Sequence, residues 1–310
     1  MNAMDTTDSV LGVRHTRPGA LPPGACDCHT HVFGPGYAFD GARTYTPPEA
    51  SLDALRAHQR ILGLDRVVVV QPSVYGTDNR CTLDAVDALG AAARAVAVIA
   101  PGLPRAALRE LHSAGVRGVR VNLETAGLHD PAVAARRLRD AADQVSPLGW
   151  HVQVFTNLGV IAALHGMLTS LPVPLVIDHF AHASAAAGPG QPGFAALLDL
   201  VRNGHAYVKL SAPNRIAEDP ADAAPLAHAL LAANPARMLW GSDWPHPGAR
   251  PVNAHGSAPG NAPGNAHDPK AIEPLDPIDD GQALERLRAW TGDAWHAVLV
   301  DNPARLYGFP

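Results

Sequence analysis

The chain has 310 residues, of which 47% are hydrophobic and 17% charged, and its formal net charge is -5. A chain of this length buries roughly three quarters of its unfolded surface and needs no staple; mild acidity argues against a nucleic-acid binder, and no apolar run approaches the roughly 18 residues of a membrane span. Three cysteines, Cys26, Cys28 and Cys81, are too few for a disulfide framework, and Met1–Ala20 lacks the apolar stretch of a secretory signal, so a cytoplasmic protein is expected.

Residues 1–24 are polar and end in Pro22-Pro23-Gly24, which reads as a flexible tail. From there short apolar runs alternate with Ala/Leu/Arg-rich stretches. The runs at 25–32, 66–72, 95–101, 116–122, 150–156, 175–180, 206–211 and 238–243 are strand candidates, and stretches such as 51–63 and 130–145 are helical. Such alternation means parallel βαβ units. Eight units predict a single-domain (β/α)8 barrel over 25–310; a doubly wound sheet is the weaker reading, because the first strand lacks a G-x-G-x-x-G turn. The Gly/Pro-rich stretch at 245–281 reads as a long loop whose first part covers the barrel mouth.

Buried parallel strands should be almost wholly apolar, and these are not. Strict alternation puts Asp27, His29 and His31 on the inward face of the first strand and Cys26 and Cys28 on the helix-facing side. It likewise turns Arg120 and Asn122 inward, pairs Gln71 with Ser73 and Lys209 with Ser211, and aims His179 and Asp243 into the barrel. Asp178 points to the opposite face, and Lys209 is expected to pair with Asp27. Barrel enzymes keep their active sites at the C-terminal strand ends, where these polar residues fall.

His29-x-His31, His179 and Asp243 form the sharpest constellation. A lone His-x-His pair is commonly surface or core; adding two strand-end residues that converge in a barrel makes it a catalytic candidate. Arg120 and Arg215 form the second. Arginine presents a fork suited to carboxylates, and an inward arginine needs an anionic partner, so a small anionic substrate is expected. Tyr45, Ser73, Tyr75, Asn79 and His182 lie in segments that should reach the barrel top and are weaker substrate contacts.

CDCHTHVFGP, QPSVYGTDN, GVRGVRVN, DHFAHA, KLSAPNR, LWGSDWPH and LVDNPARLYGF resemble, in this order, the amidohydrolase superfamily, most closely its branch of 2-pyrone-4,6-dicarboxylate lactonase and related sugar-acid lactonases. The resemblance runs from about residue 25 to 310. It implies a (β/α)8 barrel that hydrolyses a lactone in the catabolism of aromatic or sugar acids. It places His29, His31, His179 and Asp243 at the reaction centre, Arg120 and Arg215 on substrate carboxylates, and Tyr45 and Ser73 in lesser contacts. The branch has an arginine where Glu124-Thr125-Ala126-Gly127 stands here, another where His182 stands, and a tyrosine where Phe155 stands. A substrate with fewer or differently placed acidic groups follows.

The expected chemistry is water activation by Asp243 with histidine stabilisation of the oxyanion. A lactone isomerase or a metal-dependent decarboxylase on the same barrel is the enzymatic alternative, and a ligand-binding barrel the non-enzymatic one. No metal is expected to be required, since the fifth strand ends in Phe155-Thr156 and offers no ligand; a weakly held divalent ion such as zinc would use His29, His31 and Asp243, with His179 nearby.

Overall fold

A computed structural model describes residues 8–248 and 268–310. Most of the loop expected at 245–281, including all of 249–267, lies outside the described residues, so its covering role does too. The described part opens with an antiparallel hairpin of β1 (Asp8–Val10) and β2 (Val13–His15). Residues 8–24 are therefore not a tail: Val10 and His15 are buried. The apolar Val10 and Val13 were too few to mark a strand, and the hairpin is held by packing on the barrel.

The barrel strands are β3 (Cys26–Thr30), β4 (Arg66–Val70), β5 (Ala93–Ala97), β6 (Val116–Asn122), β7 (His151–Phe155), β8 (Leu175–Ile177), β9 (Ala206–Ser211) and β10 (Met238–Gly241). Each expected strand is present; several ends are shortened, by up to four residues, and the strand expected at 95–101 begins two residues earlier, at Ala93. Neighbours pair in parallel in chain order. The helices are α1 (Leu52–Leu62), α2 (Arg80–Leu89), α3 (Arg105–Ser113), α4 (Pro131–Val145), α5 (Leu158–Leu168), α6 (Phe194–Arg202), α7 (Ala224–Ala233), α8 (Asp280–Thr291) and α9 (Asn302–Tyr307). Four starts follow from side-chain caps: Ser51, Asp130, Asn157 and Asp279 each accept a bond from a first-turn N–H of α1, α4, α5 and α8. None is long and apolar enough to cross a membrane. The architecture is a single (β/α)8 barrel.

The seam between β3 and β10 is closed by few bonds. The Asp243 N–H donates to the His29 carbonyl at 2.9 Å and the His31 N–H to the Trp244 carbonyl at 2.8 Å. Asp27 Oδ1 accepts from the N–H of His29 (3.1 Å) and of Ser242 (2.9 Å). Burial raises the Asp27 carboxyl to about 6. A Cβ on Gly241 would sit 2.6 Å from His29 Cβ, so only glycine lets β10 approach the histidine strand this closely.

Two apolar layers hold the fold. Val67, Val69, Val119, Val152, Ile177 and Val208 pack against the helices, whereas Val68, Val70, Val96, Val176 and Leu239 pack inside the barrel with Tyr307 and Phe309. Cys26 and Cys28 belong to the inner layer, which corrects their expected helix-facing position. The cause is a register irregularity between Asp27 and Thr30: one extra residue inverts the side-chain phase. Below it the cysteines face in; above it His29 and His31 do.

Candidate active site

Asp243 follows β10 with φ 69°, a left-handed conformation that is costly for a non-glycine residue and clusters at functional sites. Its Oδ1 lies 3.6 Å from His29 Nε2, 3.7 Å from His31 Nε2 and 3.7 Å from His179 Nε2. Its Oδ2 accepts from Arg215 Nε at 3.0 Å and Nη2 at 2.7 Å, and Nη2 also reaches the Pro247 carbonyl at 3.1 Å. Arg215 and the three imidazoles outweigh burial and hold the Asp243 carboxyl far below the usual carboxylate range.

The outer ring nitrogens have separate partners. His31 Nδ1 donates to the Val70 carbonyl at 2.7 Å, leaving Nε2 as a lone pair in the neutral ring. His179 Nδ1 meets Ser211 Oγ at 2.8 Å. His29 Nδ1 lies 3.2 Å from Lys209 Nζ. Burial pushes His31 down to about 4 and His29 and His179 well below the ordinary histidine value, so the rings are neutral at pH 7.

Lys209 does not pair with Asp27, which is spent on the seam. It reaches Gln153 Oε1 at 2.7 Å and Asp178 Oδ1 at 3.4 Å. Asp178 is likewise not turned away: its Oδ1 is 3.3 Å from His29 Nδ1, and its Oδ2 accepts from Gln153 at 3.0 Å and lies 3.9 Å from Arg120 Nε. Asp178 is still extended and keeps the inward phase of Val176; alternation ends at the next residue, because His179, Phe180, Ala181 and His182 all take positive φ. Two consecutive residues thus face one space. Nothing in the residues DHFAHA signals that turn, whereas Gln153, a polar residue inside an apolar strand, was visible in the sequence.

Arg120 donates to the Gln71 carbonyl at 3.2 Å, its Nε has no hydrogen-bond partner, and its guanidinium lies 5.9 Å from the Phe155 ring. Phe155 meets His179 and His182 edge-on at 5.2 and 4.8 Å. Burial raises the Tyr45 phenol, while Arg120, Ser73 and Arg215 act in the opposite direction. His182 sits at the rim, with Nδ1 3.7 Å from Glu124 Oε2, while Glu124 Oε1 accepts from Asn157 at 2.6 Å. Burial raises the Glu124 carboxyl.

Two expected contacts are placed elsewhere. Tyr75 is buried among Phe33, Tyr37 and Phe39. Asn79 spends its amide on the backbone of Val98 and Thr77. Tyr75 is placed by ring packing, its hydroxyl buried without a hydrogen-bond partner; Asn79 looked available because the sequence does not show which backbone atoms a loop leaves unpaired. Asn122 similarly bonds Thr125.

Two donor groups at the barrel mouth have the spacing of a metal site: His29, His31 and Asp243, and His29, Asp178 and His179. The first fits a divalent ion by residue type and distance.

Residues 26–309 match the amidohydrolase family, and the chain belongs to that family; the protein is an enzyme. It is similar to 4-sulfomuconolactone hydrolase of Rhizobium radiobacter, with 35% identity over 93% of this chain and 91% of the relative. D-galactarolactone isomerase of Agrobacterium fabrum is 28% identical over 93% of this chain and 92% of its own length. A solved structure from Pseudomonas putida, assigned as a 2-pyrone-4,6-dicarboxylic acid hydrolase, superposes with a TM-score of 0.74 at 31% identity, covering 93% of this chain and 99% of that one.

Proposed function

We propose that this enzyme hydrolyses a small lactone bearing one or more acidic groups. The observation that carries the reading is the Asp243 carboxylate, tied to Arg215 through one oxygen and presenting the other to three imidazoles. Asp243 Oδ1 is the base that takes a proton as water attacks the ring carbonyl, and it returns that proton to the ring oxygen as the tetrahedral intermediate collapses and the ring C–O bond breaks, a role worth about 10²–10⁴ in rate. His29 donates to the oxyanion as it forms. His31 and His179 complete the wall around that oxygen. Removing one such donor costs about 10²–10³ in kcat.

Substrate charge follows from the balance at the mouth. Arg120, Arg215 and Lys209 face Asp178 and Asp243 in a buried space, which leaves one positive charge for an anionic substrate. Arg120 is the carboxylate clamp, since its Nε is unpartnered. Arg215 is shared between Asp243 and the substrate. Tyr45, Ser73 and His182 line the remaining wall. The acids named in the relatives, a sulfomuconolactone and a pyrone dicarboxylate, fit this class.

Held by His29, His31 and Asp243, a divalent ion would act as a Lewis acid on the carbonyl. We read the reaction as not requiring it, on the strength of the want of a ligand at the end of β7.

The test is a screen of 4-sulfomuconolactone, 2-pyrone-4,6-dicarboxylate and D-galactarolactone with product mass. Gain of one water supports hydrolysis. An unchanged mass with a shifted ring marks the isomerase reading, which the Agrobacterium relative favours. Loss of carbon dioxide marks decarboxylation, and ligand-dependent stabilisation without turnover a binding protein.

A further inference from the structure

A second buried group of titratable residues lies behind the site. Asp280, the first residue of α8, has its Oδ2 2.8 Å from His58 Nε2 and 3.0 Å from His246 Nε2, with His15 Nδ1 at 4.0 Å. All four side chains are buried. They come from four places: β2, α1, the segment after β10, and α8. The Asp280 N–H also donates to His15 Nδ1 at 3.3 Å.

His246 connects this group to Asp243. Its N–H donates to the Asp243 carbonyl at 2.8 Å, and its own carbonyl accepts from the Asp276 N–H at 3.1 Å. Asp243 and His246 both hold positive φ, 69° and 65°. A turn in that conformation persists only when its surroundings over-determine it. Arg215 holds it from the active-site side through the Asp243 carboxylate and the Pro247 carbonyl. From the other side, the described side-chain anchor is His246 on Asp280.

We propose that His246 and Asp280 are positioning residues for catalysis: Asp280 holds the His246 ring from behind, and His246 fixes the turn that presents Asp243 to the three imidazoles. This rests on the reading of Asp243 as the base. The same side chains include a donor set of metal-ligand type, His15, His58 and Asp280. Hydrogen bonding accounts for them better. His15 Nδ1 already accepts the Asp280 N–H, and His58 Nδ1 and His15 Nε2 lack the outer partners that orient metal ligands. The raised His246 and lowered Asp280 proton affinities accord with an ion pair.

His15 supplies the control, since it bonds the Asp280 N–H and no contact of its side chain with the Asp243 turn is described, whereas His58 packs on Trp244 within that turn at 5.5 Å. With 4-sulfomuconolactone, or whichever lactone the parent turns over, His246→Leu should lower kcat at least tenfold and change KM less than threefold. His246→Gln, which keeps a donor near the position of Nε2, should restore kcat to within threefold of the parent. His15→Leu should leave kcat within threefold. Equal losses in His246→Leu and His15→Leu would mean the group only packs and would overturn the proposal, as would an unaffected His246→Leu. Should His246→Leu not fold, Asp280→Asn, which keeps shape without charge, takes its place with the same expected split. A crystal structure of the chosen variant decides independently of turnover: Asp243 Oδ1 should move more than about 1 Å from the three Nε2 atoms, and an unmoved carboxylate refutes the positioning role. If the parent opens no lactone, the lactone reading fails and the crystal structure alone judges this one. One equivalent of tightly held metal that disappears in Asp280→Asn would also overturn it.

Discussion

Arg215 bonds a single oxygen of Asp243 through two nitrogens, at 3.0 and 2.7 Å. The other oxygen is left for the three imidazoles. One carboxylate is thus both a structural partner and the reacting group, so its two functions can be separated by mutation.

Asp243→Asn keeps an acceptor for Arg215 and removes the base. The expected outcome is a fall in kcat of about 10²–10⁴ with little change in KM. Circular dichroism should be that of the parent. Turnover within tenfold of the parent would end the assignment of Asp243 as base.

The two arginines should behave differently. Arg120→Gln should raise KM for an acidic lactone about 10–100-fold, the worth of a charge-assisted bond of about 1.5–3 kcal/mol. It should hardly change KM for a neutral lactone. Arg215→Gln should lower kcat as well, because Asp243 loses its partner. Steady-state kinetics on one acidic and one neutral lactone make the comparison; equal losses on both substrates for Arg120→Gln would mark that residue as structural.

Acid should destabilise the fold before it reaches ordinary carboxylates. Burial pushes His151 down to about 3 and His182 to about 4. An unfolded histidine titrates near 6.5. Stability is therefore full above that pH and falls as the unfolded chain takes up protons that the folded chain refuses, until the folded rings titrate in turn. One pKa unit is worth about 1.4 kcal/mol, so these two rings cost on the order of 5 kcal/mol at pH 4.5. Asp27, raised to about 6, runs the other way: its burial penalises folding as pH rises from near 4 to 6. It returns on the order of 2 kcal/mol at pH 4.5. The net expectation is a Tm that falls between pH 7 and 4.5 by calorimetry, with a shallower fall in His151→Gln. A flat Tm over that range would contradict the buried neutral rings.

Exhaustive dialysis against a strong chelator should leave lactone opening within twofold of its starting rate. Loss of activity restored by zinc or manganese would make His29, His31 and Asp243 ligands.

Strand and helix alternation was legible because parallel strands buried on both faces must be apolar and β-branched, and helices must be amphipathic; both patterns are local. His29, His31, His179, Asp243, Arg120 and Arg215 stood out because a charged or imidazole side chain at a strand end is costly unless it has a partner. Side-chain direction was not legible wherever the backbone left its regular period. The irregularity between Asp27 and Thr30 turned Cys26 and Cys28 into the barrel, and the left-handed run that begins at His179 turned that residue into the same space as Asp178, which keeps the inward phase of Val176. Partnership was decided by the closed barrel alone. Lys209 and Asp27 could each take many ions along the chain, but closure spends Asp27 on the β3–β10 seam and leaves Lys209 to Gln153, Asp178 and His29. Composition and periodicity depend on neighbours a few residues away and can be read from the sequence; a buried charge is paired with whatever the tertiary fold brings within about 4 Å, and its partner can lie 180 residues off, as His29 does from Lys209.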